Sequence, residues 1–334
     1  MTEQAKHPRT QPFLYLAPIR GITDCLFRNL FQRHFGGVNE AVAPFINPQP
    51  HSNFDPKQLR DLQPAENMAM PVVPQFLHTD VAGLLALAHQ LHDQGYTHLN
   101  WNLGCPAPMV TRKRRGSGLL PYPDAIIDLL DQMIPKLPMQ LSIKTRLGLN
   151  HPDELAALLP RLNDYPLHEI IIHARLGKQL YKGTTDSQSF GQCLGLTRHQ
   201  VVYNGDITDT ATFQGLQQQF PGVQRWMIGR GILADPFLAR AIRGETFSVR
   251  QRAAMLSDFH RDLYLGYKES LAGPSHLLGR MKQIWAYLVT SLPRQQKVWK
   301  KIKKASTEEG YLAAVDEAFH DFTDTTVTPA ASKR

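Results

Sequence analysis

Between residues 13 and 245 the chain alternates short apolar runs of strand length with longer stretches of helical period, and this alternation limits the fold more than any other feature. A strand, a covering helix and a second strand in the same direction make one βα unit, and repeating it builds a parallel sheet. Eight runs read as strands, at 13–17, 38–43, 72–76, 97–102, 141–144, 169–173, 200–204 and 225–228. Pro74 makes the third irregular, because proline has no N–H for a sheet ladder. Helical period is plain in 81–94, where Leu84, Leu85, Leu87, Ala88 and Leu91 recur and Gly95 stops the run; 125–133 and 154–162 behave alike. Eight parallel strands spread over some 230 residues match an α/β fold of the (β/α)8 barrel type.

After Pro236 the strand pattern ends, and amphipathic helical segments follow at 250–267, 276–292 and 311–322. The expected organisation is a barrel over 1–245, a smaller all-helical domain over 246–322 and a flexible tail over 323–334. With 334 residues, 42% of them hydrophobic, the chain can fill both cores. No apolar run approaches the roughly 18 to 20 residues of a membrane span, and residues 1–11 are polar, so a cytoplasmic protein without membrane contact is expected. Cys25, Cys105 and Cys193 stand far apart, which suggests neither a disulfide framework nor a metal site.

Charge narrows the partner. The formal net charge is +8, and between Arg280 and Lys304 lie eight basic residues and no acid (Arg280, Lys282, Arg294, Lys297, Lys300, Lys301, Lys303 and Lys304). On a helix Lys297, Lys300, Lys301 and Lys304 share one face at i, i+3, i+4 and i+7, leaving Val298 and Ile302 for packing. Such a stripe suits the phosphates of a nucleic acid. A second basic run, Arg112-Lys113-Arg114-Arg115, lies on the loop after Cys105.

A barrel enzyme carries its chemistry at the C-terminal ends of its strands, and the polar residues follow that rule. Pro18 follows the first strand, Gln75 ends the third, Asn102 and Cys105 follow the fourth, and Lys144 and Arg146 end the fifth. His173 and Arg175 end the sixth, Asn204-Gly205-Asp206 the seventh and Gly229-Arg230-Gly231 the eighth. Glycines at 205, 229 and 231 let backbone N–H groups approach an anion, and Arg230 adds charge, as at the phosphate site that barrels build after their last two strands. Cys105, in a Gly-Cys-Pro turn, reaches the mouth on a loop. Its thiol can donate a proton or, as thiolate, attack with His173 as the candidate base; the sequence leaves both open.

These motifs resemble the flavin-dependent tRNA-dihydrouridine synthases, from Ala17 to about Lys282. The resemblance is carried by Ala17-Pro18-Ile19-Arg20-Gly21-Ile22-Thr23-Asp24 with Phe27-Arg28, then Asn102-Leu103-Gly104-Cys105-Pro106, Lys144-Thr145-Arg146-Leu147-Gly148, His173-Ala174-Arg175 with Gln179, Tyr181 and Gly183, Asn204-Gly205-Asp206-Ile207 and Gly229-Arg230-Gly231, in that order. It implies a monomeric enzyme acting on tRNA, with FMN as cofactor and NADPH as reductant. Pro18, Ile19, Arg20, Gln75, Lys144, His173, Asn204, Gly205, Asp206, Gly229 and Arg230 would hold the FMN. Hydride would reach C6 of a uracil ring while Cys105 protonates C5. Asn102 would orient the base, with Arg175, Arg112, Arg114, Arg280, Lys282, Lys297, Lys300, Lys301 and Lys304 among the substrate contacts. The sequence departs from the family pattern at Ile19, Pro74 and Trp101 and in a short Gly116-Ser117-Gly118 loop; Trp101 is expected to alter packing beneath the flavin.

Two further readings keep part of this. A dehydrogenase of a free pyrimidine, similar to the dihydroorotate enzymes, uses the barrel, FMN and cysteine but gives the lysine-rich helices no task. An RNA-binding protein on a retired barrel conflicts with the intact Cys105, Lys144, His173 and Arg230.

Overall fold

The computed structural model describes residues 11–48 and 59–324; residues 1–10 and 325–334, which hold most of the expected polar N-terminus and tail, lie outside them. Nine strands pair in parallel: β1 (Phe13–Leu16), β2 (Glu40–Val42), β3 (Val72–Val73), β4 (Gln75–Phe76), β5 (His98–Leu103), β6 (Gln140–Gly148), β7 (Leu167–Leu176), β8 (Gln200–Asn204) and β9 (Arg225–Ile228). Their order is β3-β2-β1-β9-β8-β7-β6-β5-β4, so the two ends of the sheet meet at Pro74. The Val73 carbonyl accepts from Ala43 N (2.9 Å) on one side and the Pro74 carbonyl from Asn100 N (2.9 Å) on the other. β3 and β4 are therefore two halves of the third expected strand, and they close an eight-position barrel. Pro74 cannot donate a rung toward β5, which is why the strand breaks there.

Side chains alternate between the barrel interior and the helical layer. Tyr15, Ala17, Val42, Val73, Ile171, Val202 and Met227 form an inner apolar cluster. Below them Tyr15 donates to Glu169 (2.8 Å), and Arg225 pairs with Glu169 (3.0 Å) and donates to the Tyr15 hydroxyl (2.6 Å), which plugs the floor. Trp101 has the opposite parity from Asn100 and Asn102. It is buried in the outer cluster with its ring stacked on Phe76 at 5.9 Å, so it packs behind the barrel wall and not beneath the mouth as expected.

The barrel is covered by α1 (Cys25–His34), α2 (Val81–Asp93), α3 (Pro108–Thr111), α4 (Pro123–Met133), α5 (Asp153–Leu162), α6 (Ser187–Leu194), α7 (Thr210–Gln219), α8 (Arg230–Ala234) and α9 (Leu238–Ile242). Four further helices follow: α10 (Val249–Ser270), α11 (Pro274–Leu288), α12 (Gln295–Lys304) and α13 (Glu308–Asp324). Ser248 and Gln251 form a reciprocal cap at the start of α10, and Gly273 at φ +81° turns the chain into Pro274, the first residue of α11. α13 runs through the boundary at which the tail was expected to begin.

Inside the four helices Trp285 Nε1 donates to the Tyr311 hydroxyl (2.8 Å), which lies 2.6 Å from His260 Nε2. Burial holds the His260 imidazole down at about 3, so it is neutral and accepts from Tyr311. α10 packs on α1 and α11 on α8, and one apolar cluster runs from the barrel's outer layer into the helices. Arg280 on α11 pairs with Asp24, the N-cap of α1, which also accepts from Tyr267 (2.8 Å). Among the described residues no helix is long and apolar enough to cross a membrane.

Candidate active site at the barrel mouth

The inward-facing positions at the upper ends of the strands surround a cavity of about 380 Å³. Ala17, Pro18 and Ile19 after β1 give it an apolar wall; Gln75, Asn102, Lys144, His173 and Asn204 give it a polar one. Gly205, Gly229 and Arg230 close one end, and the loop Gly104-Cys105-Pro106-Ala107 overhangs another. Arg20 also lines it. Chain topology thus gathers residues more than 200 positions apart onto one rim.

The polar wall is internally wired. Gln75 donates to Asn100 (2.7 Å), Asn100 to Ser142 (2.7 Å) and Asn102 to Gln75 (2.8 Å). Lys144 Nζ donates to Asn204 Oδ1 (2.9 Å), whose own amide donates to the Met227 carbonyl (2.8 Å). Burial and then the neighbouring Arg146 push the Lys144 ammonium down to about 7. Burial also drives His173 well below the usual imidazole range, reinforced by Arg146, Lys144, Arg175 and Arg230, so the ring is neutral at physiological pH. An arginine only donates; the 3.4 Å contact of Arg175 with His173 Nε2 therefore makes Nε2 the acceptor and leaves the proton on Nδ1.

Cys105 is held by its backbone. Asn102 Oδ1 accepts from Gly104 N (3.0 Å) and Cys105 N (2.8 Å), and Arg146 Nε donates to the Gly104 carbonyl (3.0 Å). On the far side Ser117 sends two bonds to the Cys105 carbonyl, from its N–H (3.0 Å) and its hydroxyl (3.1 Å). Gly116, at φ +55°, leaves room for this: a Cβ there would stand 2.6 Å from the Cys105 carbonyl oxygen. Burial raises the thiol above its ordinary value despite the Ala107 N–H and nearby cations, so it is protonated at neutral pH. No hydrogen bond joins Cys105 to His173 among the described residues. The arrangement serves an acid and gives a thiolate nucleophile no base.

Several expected contacts lie elsewhere. Arg175, 1% exposed, does not line the cavity: it binds both oxygens of Asp206 and the Gly183 carbonyl (2.7 Å), which fixes the loop after β7. Asp206 does not line it either, since its carboxylate is taken by Arg175 and Arg230 (2.7 Å). Burial would raise that carboxyl, but the Arg175 hydrogen bonds and both arginine charges outweigh it and hold it below the usual range. Asp206 therefore sets Arg230 in place from behind the cavity wall. Asn102 spends its oxygen on the Cys105 loop and one amide hydrogen on Gln75, leaving a single donor for a substrate.

The basic residues divide in the same way. Arg280 is consumed by Asp24 and Lys282 by the Ala305 carbonyl at the end of α12. Lys297 and Lys301 face α13, where both pair with Glu317 and Lys297 also approaches Asp321 at 3.9 Å. Lys300, Lys303 and Lys304 are exposed without an ion-pair partner among the described residues. Arg112 and Arg114 are exposed beyond α3, the latter over the Tyr122 ring at 4.5 Å, and neither lines the cavity.

Four contributors escaped the sequence reading as functional residues: Ser117, Phe45, Arg146 as a loop clamp, and Tyr287 from α11. The glycines around Ser117 were a usable signal. Tyr287 gave none, because an aromatic residue in an amphipathic helix reads as core.

The family model of the dihydrouridine synthases (Dus) matches residues 15–323. The chain belongs to the dihydrouridine synthase family. tRNA-dihydrouridine synthase B of Escherichia coli is 29% identical over 234 residues, which cover 69% of this chain and 71% of that one. tRNA-dihydrouridine(16) synthase of Pseudomonas putida is 26% identical over 292 residues, 83% of this chain and 88% of that one. Among solved structures, morphinone reductase in complex with tetrahydroNAD superposes with a TM-score of 0.52 at 9% identity, over 70% of this chain and 87% of that one, which is a likeness of barrel fold. A dihydrouridine synthase is an oxidoreductase.

Proposed function

We propose that this chain is a monomeric cytoplasmic enzyme that reduces uridine to 5,6-dihydrouridine in tRNA, with FMN in the barrel mouth and NADPH as reductant. The observation that carries the proposal is a protonated thiol, Cys105, fixed by five backbone-directed hydrogen bonds on the rim of a cavity with an apolar wall, a polar wall and a cationic end.

The residues fit a flavin mononucleotide. The Ala17-Pro18-Ile19 wall suits an aromatic ring system, Gln75, Lys144, neutral His173 and Asn204 suit its polar edge and chain, and Gly205, Gly229 and Arg230 suit a phosphate. At Gly229 a side chain would intrude, since a Cβ would lie 3.3 Å from Ala17 Cβ. When bound, FMN supplies the hydride that C6 of the uracil receives. Cys105 gives its proton to C5, and the raised thiol pKa keeps that proton available. Lys144, walled in and near neutrality, regains its proton against developing negative charge and stabilises it. Asn102 and Arg146 hold the donor loop while this happens. The uridine must leave its RNA stack to reach the cavity. Lys300 and Lys304, the unpaired part of the α12 stripe, together with the unpaired Lys303, serve the RNA backbone from a helical domain distinct from the barrel.

The test is purified protein with tRNA and NADPH. Flavin absorbance, NADPH-dependent dihydrouridine in the RNA, and loss of that product but not of flavin reduction in Cys105→Ala support the proposal. Reduction of free uracil or orotate at the same rate with and without RNA refutes it in favour of a free-pyrimidine enzyme.

A further inference from the structure

Besides the His173 imidazole, three aromatic rings line the cavity among the described residues: Phe45, Tyr181 and Tyr287. Two are occupied. Tyr181 lies between two guanidinium groups, Arg146 at 5.4 Å and Arg230 at 5.0 Å from the ring centre, and Phe45 carries Arg20 at 5.5 Å. Tyr287 has neither a cation nor another ring on it among the described residues. It is half-buried, leaning on the apolar core of the helices while contributing to the cavity wall.

Among the described residues Tyr287 is also the one lining residue that does not come from the barrel. Arg280, Gln283 and Tyr287 fall on one face of α11 at i, i+3 and i+7. That face runs along the loop after β1: Arg280 pairs with Asp24, the Gln283 amide oxygen sits where it would be 3.3 Å from a Cβ on Gly21, and Tyr287 reaches the cavity beside Ile19 and Arg20. The opposite face, with Leu277, Leu278, Met281, Ile284, Trp285 and Leu288, is buried in the helices. Just past α11 the Ser291 hydroxyl donates to the Ala234 carbonyl at the end of α8, while the Thr290 hydroxyl donates back to the Tyr287 carbonyl (2.8 Å). α11 is thus pinned to the barrel on both sides of Tyr287, which holds the ring at a fixed place on the mouth.

A fixed, uncommitted aromatic face at the entrance of a site that takes a nucleotide out of an RNA stack has a direct use. An extruded base loses its stacking partners, and a side-chain ring can replace them without regard to base identity. We propose that Tyr287 is a substrate-binding residue that stacks on a nucleobase of the RNA strand at the cavity mouth. It links the helices that hold the RNA to the barrel that performs the chemistry. The proposal rests on the RNA reading above.

The experiment compares the flavin-loaded full chain with Tyr287→Phe and Tyr287→Leu, both of which keep an apolar side chain against the helical core. Three quantities are read: flavin content with NADPH-driven flavin reduction, KM and kcat on tRNA, and Kd for a fluorescein-labelled hairpin RNA with a uridine loop. The Leu variant is expected to keep flavin content and flavin reduction, and to raise KM and the hairpin Kd roughly tenfold, the usual scale of losing one stacked base. The Phe variant, which keeps the ring, should stay within about twofold of the parent. Parental KM and Kd in the Leu variant overturn the proposal. Loss of flavin from the Leu variant overturns it too, because the ring would then belong to the cofactor wall. If the parent forms no dihydrouridine, the function proposed above fails, while the hairpin Kd still decides whether Tyr287 stacks.

Discussion

Replacing Ser117 with alanine removes the hydroxyl bond to the Cys105 carbonyl (3.1 Å) and leaves the backbone bond from the same residue (3.0 Å) intact. Ser117 is fully buried and does not line the cavity, so any effect on chemistry must pass through the position of Cys105. One hydrogen bond of this kind contributes about 0.5–1.5 kcal/mol. If it stabilises the loop conformation in which the thiol reaches the substrate, its loss lowers the rate of proton delivery by roughly two- to tenfold, at about 1.36 kcal/mol per tenfold. Gly116→Ala is the stronger companion. Its Cβ would stand 2.6 Å from the Cys105 carbonyl at a φ of +55°, so the carbonyl must move, and a shift approaching 1 Å costs on the order of 100-fold. Rapid mixing separates the half-reactions: flavin reduction by NADPH should match the parent in both variants, and reoxidation by tRNA should slow in the stated order. Reoxidation at the parental rate in Gly116→Ala would refute the claim that this turn positions the proton donor.

Charge reversal of Lys300, Lys303 and Lys304 should weaken tRNA binding and reduce the salt dependence of log Kd by about two to three units of slope, whereas reversing Lys297 and Lys301, which already face Glu317, should alter the slope by about one or less. Equal slopes for both sets, measured by anisotropy across a salt series, would contradict the division of the stripe. Arg175→Met leaves Asp206 to Arg230 alone and frees the Gly183 carbonyl, and should cost about 1.5–3 kcal/mol in chemical denaturation along with weaker retention of flavin; stability within about 0.5 kcal/mol of the parent would rule this out. Because His260 is neutral in the fold, held at about 3, while an unfolded histidine titrates near 6.5, the unfolded chain binds the extra proton below that pH. His260 should thus remove up to about 1.4 kcal/mol of stability per pH unit as pH falls from 6.5 toward 3, and His260→Phe should show a shallower acid limb by that amount. An unchanged limb would mean that the imidazole is protonated in the native protein.

Much of this was legible in the chain itself. The strands at 200–204 and 225–228 have the expected limits, because a βα repeat shows in local period alone. Pro74 announced the irregular third strand, since a missing N–H is a local property. Strand-end placement likewise named Pro18, Gln75, Lys144, His173, Asn204, Gly205, Gly229 and Arg230, and the resemblance added Ile19; all of them line the cavity. Partnership was not legible. Arg175 and Asp206 looked like ligand contacts but satisfy each other across the β7 and β8 ends, and half of the α12 lysine face meets an α13 acid about one helix later in the chain. Trp101 differs from Asn100 and Asn102 by a single residue of parity, yet that residue decides between the inside and the outside of the barrel.

The sequence by itself determined the barrel, the strand ends that line the cavity, and the placement of Cys105 at its rim, because each follows from local period or from residue type. Only the tertiary structure decided that the thiol is buried with its pKa raised, that Ser117 and Asn102 grip its loop, and that Tyr287 of α11 contributes to the cavity wall. Burial and hydrogen-bond partners arise between segments up to some 270 residues apart, and no local pattern encodes which charge will be spent on a neighbour and which will be left for a substrate.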